Sequence, residues 1–264
     1  MFGIELLMKS KLKLPKITEK KKINQYFVKN GMKFIIDEYN SSSQKSFKPN
    51  LTDLYYLHQI LILNKRITVL EFGCGWSSLV MSNAIKQNKI KMLKKINKIR
   101  KSNTFEILSL DNFKSYIDIC NKNYKKYLPE NNNLLIEYAD CLITTFQSYY
   151  CTTYKKKIVI NPDFIYIDGP SQIGVKSDKS IYFNTDGEDL MPMSCDLLKM
   201  EFFLVPGTIV VLDGRGANAN FLKIMFKRNW NYYYNKKVDQ HYFILEDQSF
   251  GEINDKMLNL WKNN

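Results

Sequence analysis

The stretch Ile67–Ile85, ITVLEFGCGWSSLVMSNAI, begins as an apolar strand and ends as a helix. Between the two lies Glu71-Phe72-Gly73-Cys74-Gly75-Trp76-Ser77-Ser78. Glycines at 73 and 75 allow a sharp bend and let a ligand approach the backbone without a Cβ in the way. The helix that follows presents its first N–H groups to whatever lies in the turn. In a doubly wound sheet, ligands bind at this carboxyl edge of the strands. The dinucleotide fingerprint GxGxxG asks for a third glycine where this chain has Ser78. Glu71, two positions before the first glycine, would repel a phosphate but can accept hydrogen bonds from an ammonium or a hydroxyl.

A ligand with an α-amino group and no phosphate satisfies these constraints, and S-adenosylmethionine is one. VLEFGCGWSS resembles the first motif of the class I S-adenosylmethionine-dependent methyltransferases, an acidic residue followed by GxGxG, with Ser77 in place of the third glycine. The resemblance spans roughly residues 67–246. It implies cofactor contacts from Glu71, Gly73, Cys74, Gly75, Trp76 and Ser77. An acid at the end of the second strand, for the ribose hydroxyls, falls on Asp111 in SLDN, beside Asn112. An acid after the third, near the adenine, falls on Asp140 in YADC, beside Cys141. The acid closing the fourth strand, PDFIYID, is Asp168, facing both methyl donor and acceptor. Forty residues separate Glu71 from Asp111, against roughly twenty in the dinucleotide pattern, and the basic insertion 86–103 accounts for the excess. Trp76 either offers an aromatic face to the sulfonium or packs against the sheet.

Outward from the turn, short apolar runs alternate with amphipathic ones: ITVLEF, FEILSL, LLIEYA, PDFIYID and GTIVVLD, with helices from Ser77, near Tyr116 and from Asn218. This alternation predicts βαβ units. NWNYYYN and HYFILED lie close enough to form an antiparallel hairpin. The expected fold is α/β: a doubly wound, mostly parallel seven-stranded sheet with an antiparallel edge hairpin and an N-terminal helical extension. Residues 1–64 read as a basic arm, loose to about residue 20, and two helical segments near 21–39 and 51–64. Residues 65–264 read as the Rossmann-like domain. The segment 86–103 reads as a solvated extension of the first helix.

The chain of 264 residues carries a net charge of +13. That admits a polyanionic partner, but the lysines are spread along the chain and arginines, the usual readers of nucleic acid, are few. Five cysteines without CxxC spacing read as reduced thiols rather than a zinc site. No apolar run reaches the ~18 residues of a membrane span, and the expected location is cytoplasmic.

For the chemistry, Asp168 is the leading candidate for general base. His241, opening the last strand, is an alternative with a pKa near neutrality, and Asp213, closing the fifth, is a third. Asp168 and Asp213 could instead bind Mg²⁺, as in metal-dependent O-methyltransferases, but Gly214 stands where such enzymes carry a further ligand. The long polar segment 169–196 is expected to form part of the acceptor pocket through Asp186, Glu188 and Asp189, with Asp178 adding to its acidic character. Arg215 and Asn218 are candidates for an acceptor's phosphate or carboxylate. No [DN]PP[YF] follows the fourth strand, and there is no Pro-Cys pair for cytosine attack. The leading expectation is O-methylation of a small molecule or a sugar or glycan hydroxyl. The alternatives are an RNA methyltransferase gripping through the basic N-terminal region, and an inactive binding module.

Overall fold

The computed structural model describes residues 12–16, 18–41, 48–97, 99–171, 175–177, 181, 185 and 193–262. Its main sheet follows the apolar runs: β1 (Thr68–Phe72), β2 (Glu106–Asp111), β3 (Leu134–Tyr138), β6 (Phe164–Ile167), β9 (Ile209–Asp213), β10 (Trp230–Asn235) and β11 (Gln240–Leu245). The order across this seven-stranded sheet is β10-β11-β9-β6-β1-β2-β3. Strands β3, β2, β1, β6 and β9 pair in parallel. β11 is antiparallel to both β9 and β10. The chain reverses direction beside β1, between β2 and β6, so the carboxyl ends of β1, β2, β6 and β9 share one edge.

Both faces of the sheet are covered, which is why the central strands read as continuous apolar runs. Leu70 and Phe72 enter one core with Ile165, Val210 and Leu222. Val69 enters the other with Leu57, Leu61, Met81 and Tyr166. On the second face lie α3 (Leu51–Leu63) and α4 (Trp76–Ile96). The first carries α6 (Asp196–Met200) and α7 (Gly216–Met225), which supply Leu197, Ala219 and Leu222 to its core; α5 (Lys114–Tyr127) packs beside α4 through Cys120 and Leu79, and α8 (Glu252–Lys262) sets Leu260 against the second core.

Three sequence expectations are revised. The helix expected over 21–39 is two, α1 (Lys20–Lys29) and α2 (Lys33–Asn40), divided at Gly31, whose φ of +73° suits glycine. The basic arm is fastened from Leu12 onward: Lys13 exchanges two 2.9 Å hydrogen bonds with the Asn64 side chain, and Leu12 and Leu14 pack on the second core. The 86–103 segment is helical only to Ile96, and it is not simply solvated. Asn88, Met92 and Ile96 are buried, and Asn88 Nδ2 donates to the Leu61 and Arg66 carbonyls at 3.1 and 2.8 Å.

The connection from β3 to β6 holds an element the sequence reading missed. β4 (Cys141–Phe146) and β5 (Tyr149–Tyr154) form an antiparallel hairpin at the centre of a four-stranded sheet, flanked by β7 (Lys176–Ser177) and β8 (Met193–Ser194). This sheet packs through Cys151 and Tyr154 onto the same core as Phe72.

Candidate functional site

The turn after β1 is held from beneath. Glu71 is fully buried and accepts hydrogen bonds from Ser77 Oγ (2.5 Å), Ser78 Oγ (2.6 Å) and Ser109 Oγ. Burial raises its pKa to about 7 against the lowering effect of the three hydroxyls. Its oxygens face these serines, so it braces the turn and does not present itself at the surface of the cleft. The serines at 77 and 78, which depart from the glycine patterns, are the residues that satisfy it.

The two glycines differ. Gly73 has φ +98°, and a Cβ there would lie 2.9 Å from Gly169 N and 3.1 Å from Asp168 C. Its missing side chain serves close packing of β1 against the end of β6 rather than access for a ligand. At Gly75 a Cβ would meet nothing within 4 Å, so this is the position open to a bound group. Cys74 is half-buried and its N–H donates to Asp111 Oδ2 at 2.9 Å. Trp76 lies against Tyr127, ring centroids 6.2 Å apart, and packs on the cluster of Leu79, Cys120 and Leu128.

At the end of β2, Asp111 is buried, accepts also from Phe113 N (2.7 Å), and has its pKa raised by burial. Asn112 Oδ1 accepts from Ser171 N at 3.4 Å, tying the β2 end to the loop after β6. Asp140 is exposed and accepts from Tyr138 OH at 2.5 Å, while Cys141 is buried at the start of β4.

Asp168 follows β6 at the carboxyl edge of the sheet, with its side chain 56% accessible. The surrounding protein raises its pKa to about 6; Arg215 opposes this, and Asp213 and Asp111 add to it. Arg215 Nη2 donates to the carbonyls of Asp168 and of Pro170 (3.1 Å). Its Nε is 3.8 Å from Asp168 Oδ1. The sequence reading gave Arg215 to an acceptor anion; in the structure it clasps the loop after β6. Asn218, also assigned to the acceptor, is buried and accepts from Ser194 N at 2.5 Å. Asp213 is half-buried, accepts from Tyr166 OH at 2.9 Å, and is raised in pKa by burial. His241 is buried between Tyr232 and Tyr234, with Nδ1 2.9 Å from Tyr232 OH, and burial lowers its pKa. Its Nε2 would stand 3.5 Å from a Cβ on Gly216. Asp178, Asp186, Glu188 and Asp189 lie outside the described residues.

A cavity of about 510 Å³ opens beside Asp213, lined also by Asn50, Asp53, Lys236, Lys237 and Asp239. Asp53 was not singled out from the sequence. It sits in the first turn of α3, three residues after the capping Asn50, where an acid is ordinary. Burial first, and Asp213 second, raise its pKa to about 7. Among the described residues, no group of three or more His, Cys, Asp and Glu side chains is placed to hold a metal ion.

The chain resembles several solved structures. A methyltransferase of Podospora anserina bound to SAH superposes with TM-score 0.48 and 12% identity, over 89% of this chain and 100% of that one. An O-methyltransferase from Bacillus cereus in complex with SAH gives 0.41 and 11%, over 87% and 92%. An O-methyltransferase from Streptomyces achromogenes involved in tomaymycin synthesis, in complex with SAM, gives 0.40 and 11%, over 89% and 92%. The sheet itself is the seven-stranded, mostly parallel one with an antiparallel edge hairpin that the sequence led one to expect. At these scores no residue role and no substrate transfers from them. No family model matches the chain, and no curated protein does. Among the described residues no helix is long and apolar enough to cross a membrane.

Proposed function

We propose that this protein is an S-adenosylmethionine-dependent methyltransferase that O-methylates a small hydroxylated molecule or a sugar or glycan. One observation carries the reading. A single sheet edge brings together the open Gly75, Asp111 and Asp168, and the last acid of that edge, Asp213, lines a cavity of about 510 Å³. The residues fit the cofactor. Gly75 leaves room for it, the Asp111 carboxylate suits a ribose diol, and the carboxylates of the edge favour a sulfonium cation. S-adenosylmethionine, when bound, supplies an electrophilic methyl group.

The remaining chemistry belongs to the chain. Asp168 accepts the proton of the acceptor hydroxyl. A carboxylate whose pKa is raised toward neutrality is a stronger base than a free one and is still ionised at pH 7. Arg215 fixes Asp168 by its main chain, which leaves the carboxylate oriented but not neutralised by a close ion pair. Asp53, Asp213 and Asp239 accept hydrogen bonds from hydroxyls, and Lys236 and Lys237 balance their charge. With these acids on its wall, the cavity lacks the clear positive surplus that a nucleic-acid backbone asks for, which disfavours the RNA alternative.

Calorimetry with S-adenosylhomocysteine tests the cofactor. Incorporation of labelled methyl into nucleotide sugars, glycans, small phenols and RNA tests the acceptor. Binding of a nicotinamide dinucleotide, with none of S-adenosylhomocysteine, overturns the proposal; labelled RNA replaces it with the RNA reading.

A further inference from the structure

At the amino edge of the sheet, opposite the glycine turn, a cavity of about 370 Å³ lies between the end of α3, the last turns of α4 and the end of α8. Four lysines line it: Lys13 of the N-terminal segment, Lys65 of the turn before β1, and Lys91 and Lys95, one turn apart on α4. The rest of the wall is largely apolar, with Ile62, Met92 and Leu260. Asn88 also borders it, but its Nδ2 donates to the Leu61 and Arg66 carbonyls. No described residue of the lining is an acid, and among the described residues none of Lys65, Lys91 and Lys95 is in an ion pair.

Exposed lysines commonly lay their stems on apolar residues and hold their heads apart in water. Here they converge instead, from three separate elements, on one concavity. Lys65 is fixed at its root: it takes φ +52°, and its N–H donates to Ile62 O at 3.2 Å. Partial burial lowers its pKa, and Lys13 and Lys95 lower it further. A cleft lined by one sign of charge concentrates the opposite sign, so a bound anion relieves this crowding. The form of the anion follows from the donors. Ammonium groups arriving from several directions suit a tetrahedral group with oxygens on every side. A planar carboxylate is best held by the fork of an arginine, and no described residue of the lining is one. The cavity is larger than an inorganic phosphate, and its apolar wall suits a carbon body.

We propose that this cavity is a second ligand site, which takes the phosphate group of a small organic phosphate on Lys13, Lys65, Lys91 and Lys95, and its apolar body on Ile62, Met92 and Leu260. The site lies at the far edge of the sheet from Gly75 and Asp111, and it does not depend on the methyl-transfer reading.

The test uses hexyl phosphate, inorganic phosphate, hexanol, and phosphatidylcholine vesicles with and without phosphatidic acid. The proteins are wild type and Lys91→Met/Lys95→Met, in which two exposed lysines are replaced without touching a core. Calorimetry is expected to show one hexyl phosphate per chain, bound at least about tenfold more tightly than inorganic phosphate because methylenes are buried, and no binding of hexanol. The double variant is expected to bind hexyl phosphate at least about tenfold more weakly, as for lost bonds between charged groups. It should melt within a few degrees of wild type. Saturating S-adenosylhomocysteine should leave the affinity of wild type for hexyl phosphate unchanged. Vesicle sedimentation separates the sources of the phosphate. Binding that needs both phosphatidic acid and the two lysines assigns a lipid headgroup, and binding of hexyl phosphate without binding of vesicles assigns a soluble phosphate. Equal affinity of the two proteins for hexyl phosphate, displacement of hexyl phosphate by S-adenosylhomocysteine, or failure of wild type to bind either hexyl phosphate or the phosphatidic acid vesicles overturns the site.

Discussion

Gly73 and Gly169 touch backbone to backbone: a Cβ on Gly73 would lie 2.9 Å from Gly169 N, and one on Gly169 would lie 2.6 Å from Gly73 N. The end of β1 and the end of β6 are thereby locked together, and Asp168 is set at a fixed distance from the turn. The two glycines of the turn should accordingly fail in different ways. Gly73→Ala forces a methyl into backbone at a positive φ, and is expected to cost about 2–4 kcal/mol of stability. Gly75→Val fills open space, and should leave the melting temperature within a few degrees of wild type while lowering S-adenosylhomocysteine affinity at least tenfold. Thermal melts and calorimetry on both variants check this. A Gly75→Val protein that binds as wild type does would remove Gly75 from the cofactor site.

Asp168 separates chemistry from architecture, because Arg215 donates its hydrogen bond to the carbonyl, while its Nε stands 3.8 Å from the carboxylate, beyond hydrogen-bond length. Asp168→Asn should keep the melting temperature and leave S-adenosylhomocysteine affinity within several-fold. Turnover should fall by about 10²- to 10⁴-fold, the range for loss of a general base. Arg215→Met, which releases the carbonyls of Asp168 and Pro170, should lower stability and turnover together. In the wild type, turnover should rise with pH through about 6 as Asp168 ionises. Full activity of Asp168→Asn, with loss in His241→Ala, would transfer the role of base to the histidine.

Asp53 supplies a pH signature. Its folded pKa of about 7 lies above the ordinary aspartate value of ~3.9. Between those values the folded state holds a proton that the unfolded chain has released. Its contribution to stability is therefore fully present below about pH 4 and declines as pH rises to about 7. Asp53→Asn removes that decline. The melting temperature of the variant relative to wild type should climb from pH 5 to pH 8, and a difference that stays flat over this range would show that Asp53 is not held in its acid form.

The fold was legible where burial is two-sided. ITVLEF, FEILSL, PDFIYID and GTIVVLD are apolar throughout because the strands are covered on both faces, and they mark β1, β2, β6 and β9. The β4–β5 hairpin was not, because its turn residues Gln147 and Ser148 adopt φ of +48° and +69° without the glycine or asparagine that usually announces such a turn. Within the site, the order of Glu71, Gly73, Gly75, Asp111 and Asp168 along the chain placed them at one edge, but sequence could not divide their tasks. Only the packing shows Gly73 against Gly169, Glu71 enclosed by serines, and Arg215 turned toward carbonyls. Asp53 carries no local signal, since it is an ordinary acid in a first helical turn. It matters through Asp213, about 160 residues away in sequence.

The charge of +13 decides between a pocket-bound acceptor and RNA, and the structure changes how that is tested. Removing residues 1–20 would strip Leu12 and Leu14 from the core and break the Lys13–Asn64 bonds, confounding binding with stability. Removing residues 1–11 leaves those contacts in place. A protein that neutralises several phosphates releases as many counterions, so its affinity falls steeply with salt. An acceptor held beside Asp53, Asp213 and Asp239 has no such dependence. Full-length protein should therefore bind RNA weakly, with affinity lost between about 50 and 200 mM salt, and should transfer no methyl to it. The 1–11 deletion should weaken that RNA binding further, and its turnover on the true acceptor should match wild type at both salt concentrations. Methyl incorporation into RNA at physiological salt that the deletion abolishes would mean that the basic segment serves catalysis, and the small-molecule or glycan assignment would give way to an RNA substrate.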